Sequence, residues 1–588
     1  LMAAADVISD NYISAAAEHS EKIRLAEFHN LLVENIIHGY DVLTSALHLT
    51  ASTLASRAPH ISFHRMNLFT MPLGGKDSKL GSVEFLQGGQ VSAQLDLFGS
   101  VAPEQVTGEG METLPSAALP NLDLCVMNPP FTRSVAGNLL FGSLPDDERI
   151  VLQKRLKKLV SKKEVLANAT AGLGSVFVAV ADPYIKSDGR IALVLPKALL
   201  SGVSWNETRQ LINRKYRLEY VIVSQDPERW NFSDSTDLSE TMVIATKLKP
   251  GQAAKETPVV GVNLWRNPTT SFESLAIAQT LNTETAPPIS SAQGSLEIFV
   301  GQQKVGEAIS MPANELQAQD AWLLPCSFAQ ADLIRVAYNL AQNQVWLPGQ
   351  QEVKNIALCA LGELGTLGPD ARDTYDGFKP TKNKTSYPAL WGHDSTEITT
   401  LAENPNAYLS PLAKPRAGRH LRKVEDLWPK AGRILIGGMI RLNTQKLIAV
   451  HLSHVALSNV WWPLSLNKGP NSAKMEKALV IWLDSTLGFL QFVTRRIETE
   501  GAWVKFKKPV LTRMPVLDVR SLTTKQLDAL ADAYDEYAHQ ELQPFPQMAT
   551  DPVRAAMDKS ISRALKLPDL TPLREMLARE PVVCMKRL

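Results

Sequence analysis

Cysteine is scarce in this chain of 588 residues. The four at positions 125, 326, 359 and 584 form no CxxC pair. Such spacing argues against a zinc site or a disulfide framework and suits a reducing, cytoplasmic setting. Long apolar runs are also missing. The stretch RIALVLPKALL at 190–200 is about half of what a bilayer span needs, so no membrane partner is expected. Charge of one sign is not in excess: 61 Lys plus Arg face 60 Asp plus Glu, a formal net charge of +1. Any polyanionic partner must then be met by a local basic surface, because no global positive field exists. A glycine-rich turn after a strand is absent as well. Gly108-Glu109-Gly110 and Gly172-Leu173-Gly174 are the spaced pairs, and neither follows a convincing strand. There is no ordered PD…(D/E)xK arrangement, which places any nuclease outside this chain, and no His/Cys cluster suggests a metal.

What is present is alternation. Over the first 250 residues, helical periods (EKIRLAEFHNLLVENI, LTSALHLTASTLAS, SVFVAVADPYIK) interleave with β-rich runs (IIHGYDV, ISFHRMNLF, LDLCVM, RIALVLP, LEYVIVS, TMVIATKL). That order predicts an α/β fold with a mostly parallel, doubly wound sheet. Ligands of such sheets gather outside the carboxyl ends of the strands. A polar, proline-bearing stretch at 282–294 reads as a linker or loop, and beyond it the alternation is lost. Strands RILIGGMI and LIAVHLS, a helix at AKMEKALVIWLDSTLGFLQFVTR and a helical end from TTKQLDALADAYDEYAHQ follow. The expected division is 1–250, a connecting region 251–345, and 346–588.

The stretch DLCVMNPPF at 123–131 carries the chemistry. Two consecutive prolines cannot donate to a sheet ladder, so the strand ends there and leaves Asn128 at its carboxyl edge. An exocyclic amino group on a nucleobase is a poor nucleophile because its lone pair is delocalised into the ring. Two acceptors aimed at its hydrogens, the Asn128 side-chain oxygen and a proline carbonyl held by the stiff Pro129-Pro130 unit, push the nitrogen towards tetrahedral geometry. Phe131 offers a flat face on which an extruded base stacks. A helix-start loop with proline in its first turn is the competing reading.

With Asn128, Pro129, Pro130 and Phe131 intact, the chain resembles the S-adenosylmethionine-dependent amino-group DNA methyltransferases, in particular the adenine-specific ones of restriction and phage-defence systems. The resemblance implies a Rossmann-like methyltransferase sheet followed by an α+β target-recognition domain and carboxyl-terminal helices. S-adenosylmethionine is the implied cofactor and double-stranded DNA the implied partner, with other restriction or defence-system subunits as further partners. IIHGYDVLTSALHLTASTLA resembles the family's second strand and helix, which makes Asp41 the residue that grips the cofactor ribose and sets Val42 against its adenine. Helix capping before Leu43 is the competing role for Asp41. HRMNLF resembles the next strand end, although Asn67 stands where the family usually has an acid; Asn67 and Leu68 are the implied cofactor contacts there, with a turn asparagine the competing reading for Asn67. RWNFSDSTDLSETMVIATKL resembles the segment whose aromatic residue packs on the flipped base. Phe232 is the first candidate and Trp230 the second, with core packing the competing role for both.

LSNVWWPLSL, KALVIWLDSTLGFLQF and GAWVKFKKPVLTRMPVLDVRSLTTKQLDAL resemble the recognition region of large restriction-associated methyltransferases. Basic segments are the natural phosphate contacts: KRLKKLVSKK at 154–163, then Lys414, Arg416, Arg419, Arg422 and Lys423 within KPRAGRHLRK, and Lys505, Lys507 and Lys508 beside Trp503 and Phe506. Solvated helix faces compete with that reading. LMAAADVISDN looks like the helix that follows the family's glycine loop, so a first strand and Gly-x-Gly turn are expected upstream. Three other functions stay open. One is a methyltransferase acting on RNA or on a protein glutamine, another is a cytosine amino methyltransferase, and the third is a DNA-binding specificity subunit without transfer activity.

Overall fold

A computed structural model describes residues 2–93, 102–132, 139–142, 144–233, 238–253, 257–292, 294–318, 322–350, 352–392, 397–500 and 503–588. The architecture is mixed α/β, with several mixed sheets and many helices. It divides into two compact units, the first made of residues 1–195, 203–217 and 245–253 and the second of 196–202, 218–244 and 254–588.

In the first unit, strands His38–Asp41 and Arg65–Thr70 pair in parallel, with His38 opposite Asn67 and Asp41 opposite Thr70. The helix Thr44–Ala55 joins them. Its Leu47, Ala51 and Leu54 fall at i, i+4 and i+7, one face of a 3.6-residue period, and that face is buried with Met66 and Leu68. The sheet continues antiparallel through Glu104–Thr107 and Gly110–Thr113. A second parallel pair sets Leu122–Met127 beside Ile185–Pro196, with Cys125 opposite Ile191 and Met127 opposite Leu193. Its crossover carries the helices Asp146–Val160 and Leu173–Ala181. The sequence LGSVFVAVA of the latter is apolar on nearly every face, and all but Phe177 of the helix is buried.

The expected single doubly wound sheet is therefore split. His38–Asp41 ends one strand order and Leu122–Met127 ends another, so among the described residues each is paired on one side only. Leu124 and Val126, which look like buried-strand residues in the sequence, are 46% and 61% exposed in consequence. The Tyr40 hydroxyl donates to the Ala118 carbonyl at 2.6 Å, which ties the first strand to the segment leading into Leu122–Met127.

In the second unit, residues 220–224 of the strand Tyr216–Ser224 pair in parallel with Pro258–Leu264. Pro258–Leu264 pairs antiparallel with Gln303–Pro312, which in turn pairs with Leu296–Val300. Residues 251–345 thus supply strands to a sheet, where the sequence reads as a loss of alternation. The stretch 282–294 does not hang free either: Ile289 donates to the Ser310 carbonyl at 2.7 Å and is fully buried. An eight-stranded sheet follows, running from Gly365–Leu367 through Trp461–Leu466, Gly432–Gly437, Ala449–Ser458, Pro388–Leu390 and Ala407–Pro411 to Phe378–Thr381 at its edge, with Ala402–Glu403 beside Ala449–Ser458 as the eighth.

The helix expected over 473–495 is two, Ser472–Leu483 and Thr486–Thr494. Ser485 breaks it by capping the second, its Oγ accepting from the Gly488 amide at 3.1 Å. The neighbouring Asp484 carboxylate is fully buried and accepts from the Ile448 amide at 2.6 Å. Burial pushes Asp484 up to about 7, and likewise Glu580, whose carboxylate accepts from the Gln330 side chain at 2.9 Å. The folded chain then holds protons on these groups that the unfolded chain releases near pH 4. Stability contributed by the protonated forms is full below about pH 4 and is lost as pH rises to about 7. Urea unfolding at pH 5 and pH 8 should show the wild type losing stability, on the order of 1 kcal/mol per pH unit per group. Asp484→Asn with Glu580→Gln should flatten that dependence. An unchanged pH slope in the double variant would mean other groups set it.

Candidate active site

Asn128-Pro129-Pro130-Phe131 leaves the carboxyl end of Leu122–Met127, as the proline pair requires. Asn128 and Pro130 are exposed, Pro129 is buried and Phe131 is half-buried. Among the described residues no aromatic ring stacks on Phe131. The loop is fixed from behind by Thr132. Its amide donates to the Pro130 carbonyl at 3.0 Å. Its hydroxyl accepts from the Leu173 amide at 3.1 Å, satisfying a donor at the first turn of Leu173–Ala181 that has no partner within the helix.

Gly172-Leu173-Gly174, set aside as a cofactor loop, makes that approach possible. Gly172 has φ +98°, and a Cβ there would lie 2.2 Å from the Thr132 carbonyl oxygen. A Cβ on Gly174 would meet Leu195 at 3.1 Å, Trp205 at 3.2 Å and Pro129 at 3.8 Å. The two glycines let the helix start press against the tetrapeptide, and Trp205 and Leu195 close the floor beneath Pro129. Thr132, Gly172 and Gly174 are site residues that the sequence reading did not single out. The signal was the glycine pair itself, weighed as a cofactor loop, set aside, and not considered for packing. Cys125, three residues before Asn128, does not offer a thiolate: burial lifts its thiol to about 11.

Asp41 closes its strand, and its Oδ1 accepts from the Leu43 amide at 2.8 Å, ahead of the helix Thr44–Ala55. The bond closes a turn ahead of the helix, whose N-cap is Leu43 with no side-chain cap hydrogen bond, and Oδ2 takes no protein hydrogen bond among the described residues. Val42 is 40% exposed at the same strand end. Asn67 and Leu68 are not brought there. Asn67 lies opposite His38, three residues short of Asp41, and both ends of its amide are taken: Nδ2 donates to the Glu34 carbonyl at 2.8 Å and Oδ1 accepts from Gln105 at 3.3 Å. Leu68 is fully buried core. The residue level with Asp41 is Thr70, whose Oγ1 is buried without a hydrogen-bond partner.

Phe232 and Trp230 belong to the second unit. Phe232 is half-buried against a cluster containing Val262 and Ile298, and its amide donates to Glu240 at 2.6 Å. Trp230 is 8% exposed, which leaves little ring face for a base. The basic residues separate into two kinds. Arg419 is held by Asp376 at 3.2 Å and Arg422 by Asp373 at 2.8 Å. Lys508 donates to the Leu367 carbonyl at 2.7 Å, and burial holds it below the usual lysine range. In the first unit Arg155 is paired with Glu84 at 2.8 Å. Lys414, Arg416, Lys423, Lys505 and Lys507 are exposed, and Arg416 sits 5.6 Å over the Tyr375 ring. Among the described residues no group of His, Cys, Asp and Glu could hold a metal ion, and no helix is long and apolar enough to cross a membrane.

No protein-family model matches the chain, and no curated protein matches its sequence. The solved structures it is similar to include a restriction endonuclease, a restriction-modification enzyme and a further DNA complex. The type IIG restriction endonuclease BpuSI is 11% identical, with 79% of this chain and 54% of that one covered at a TM-score of 0.27. The type IIL restriction-modification enzyme MmeI, in complex with DNA, is 11% identical, with 77% and 54% covered at 0.34. The DrdV–DNA complex is 10% identical, with 73% and 45% covered at 0.30. The chain spans about half the length of the structures it matches. Identity and superposition are both too low to transfer a residue's role.

Proposed function

We propose that the chain is the transfer and DNA-recognition part of a site-specific DNA methyltransferase that modifies the exocyclic amino group of adenine in a restriction or phage-defence system. The observation that carries this reading is the tetrapeptide: an exposed Asn128 at a strand end, followed by a buried proline and a half-buried ring. In it, Asn128 Oδ1 and the Pro129 carbonyl accept from the two amino hydrogens, and Phe131 holds the extruded base. No side chain needs to remove a proton beforehand, because the amine becomes acidic once alkylated.

S-adenosylmethionine, when bound, supplies the methyl group. Its fit rests on Asp41 and Thr70 at adjoining strand ends: a carboxylate oxygen and a buried, unpartnered hydroxyl are suited to a polar ligand. Asp41 would hold the ribose hydroxyls and Val42 would lie against the adenine. The test is incubation with methyl-labelled S-adenosylmethionine and unmethylated plasmid. Label in the DNA is expected; label confined to protein or RNA would overturn the reading.

Phe131→Ala should be milder than loss of Asn128, since base–aromatic stacking is worth about 1–3 kcal/mol. A 2-aminopurine placed at the target reports the flipped state, and its fluorescence should change in the variant. Unchanged fluorescence would remove Phe131 from the clamp. A specificity subunit without transfer activity is the second reading. It is favoured by the one-sided pairing of His38–Asp41 and Leu122–Met127, and the same labelling assay separates the two.

A further inference from the structure

In the second unit, the stretches 377–393 and 404–423 together contain eight Lys and Arg and no Asp or Glu, in a chain whose totals are 61 and 60. The fold places these stretches side by side. Phe378–Thr381 pairs antiparallel with Ala407–Pro411, with Lys379 opposite Ser410 and Thr381 opposite Tyr408. The basic loop after Pro411 returns to the same place. The Leu412 amide donates to the Gly377 carbonyl at 2.9 Å and the Arg422 amide to the Asp376 carbonyl at 3.1 Å. Both ends of residues 412–422 are thus tied to two adjacent residues immediately before the edge strand. Arg419 and Arg422 reinforce the tie through Asp376 and Asp373.

Six cations remain: Lys379, Lys382, Lys384, Lys414, Arg416 and Lys423. All six are exposed and none makes an ion pair among the described residues. We infer that they form one continuous phosphate-binding strip for duplex DNA, with Arg419 and Arg422 acting as positioning residues that hold the loop against the edge strand. The inference rests on the DNA-binding part of the function proposed above. It adds Lys379, Lys382 and Lys384, which lie outside every basic segment visible as a run in the sequence.

Two competing roles for the lysines are separable by experiment. Edge strands carry Lys and Pro to block pairing with other chains, and Lys379-Pro380 on an edge strand fits that pattern. A polybasic surface also attracts anionic membranes, but those usually come with apolar anchors, and Leu421 at 38% is the one large hydrophobic of these stretches among the strongly exposed. Repeated charge without apolar anchors matches a phosphate backbone.

The experiment measures duplex affinity against salt concentration for the full chain, the triple variant Lys379→Gln/Lys382→Gln/Lys384→Gln, and the matching triple Lys→Arg variant. Each lost phosphate contact lowers the log–log slope by about 0.9. The Gln variant should therefore show a slope smaller by roughly 2–3, so its affinity deficit shrinks roughly 40-fold between 50 and 200 mM salt, while the Arg variant keeps the wild-type slope. An unaltered slope in the Gln variant, with increased light scattering, would assign the lysines to edge protection and overturn the strip while leaving the proposed function intact. Equal affinity for phosphatidylserine vesicles would overturn the choice of DNA. Absence of salt-dependent duplex binding by the wild type would overturn both the strip and the DNA-binding reading beneath it.

Discussion

Asn128→Ala is expected to lower methyl transfer by roughly 10²–10³-fold, the cost of losing one preorganised polar group at a reacting centre, while duplex affinity stays near the wild-type value. The separation follows from what the amide does. It acts on an amino group of the target, whereas affinity for a duplex comes from phosphates met elsewhere. Alanine at an exposed loop position leaves no cavity in the core, and urea unfolding of the variant separates any stability effect from the loss of transfer. Single-turnover transfer and equilibrium DNA binding, measured on one preparation, check both halves. Substantial turnover by the variant would remove Asn128 from the chemistry, and a parallel collapse of DNA binding would mean that the loop holds the duplex instead.

The second large effect is expected at a residue that touches no substrate. Gly172→Ala puts a methyl group 2.2 Å from the Thr132 carbonyl oxygen at a backbone φ of +98°. Both the contact and the conformation must yield, at a cost of about 1–3 kcal/mol for the strained backbone alone. Relief comes by moving Thr132, and with it the hydrogen bonds to Pro130 and Leu173 that aim the tetrapeptide. A displacement of about 1 Å at a reacting group can cost about 10²-fold in rate. Transfer should fall by about that factor. Gly251→Ala is the control, because Gly251 has φ +82° but nothing within 4 Å of its Cβ position. It bears the backbone strain without the clash, and its transfer rate should stay close to wild type. Equal rates for Gly172→Ala and wild type would mean that the Gly172–Thr132 approach does not set the loop.

How far the sequence could be read depended on the range of the interactions involved. The strand end at Asn128 was legible because two prolines forbid a ladder locally, and TTKQLDALADAYDEYAHQ was legible as helical, which the helix Thr524–Tyr537 bears out. The break at Ser485 was missed because an apolar run on both sides hides a cap within one apparent helix. Asn67 was misplaced because the register between two parallel strands is set by pairing and not by either sequence. Only the alignment of Asp41 with Thr70 shows which residue reaches the strand end. Exposure of Leu124 and Val126 was equally illegible, since a run of apolar residues says nothing about whether a strand has neighbours on both sides. The lysines at 379, 382 and 384 do not form a dense run, and they join the loop at 414–423 only through an antiparallel pair and the backbone hydrogen bonds that anchor the loop at Gly377 and Asp376. Gly172-Leu173-Gly174 was seen and set aside as a cofactor loop, and its packing role went unread: glycine spacing permits a close approach without saying whether a phosphate or a carbonyl will make it.

The central claim is that Asn128 and its loop direct a methyl group to the amino nitrogen of adenine. Nucleoside analysis of unmethylated plasmid after incubation with S-adenosylmethionine tests it most directly, with Asn128→Ala run alongside. The account predicts N6-methyldeoxyadenosine from the wild type and almost none from the variant. N4-methyldeoxycytidine, or the same yield of N6-methyldeoxyadenosine from both proteins, would contradict it.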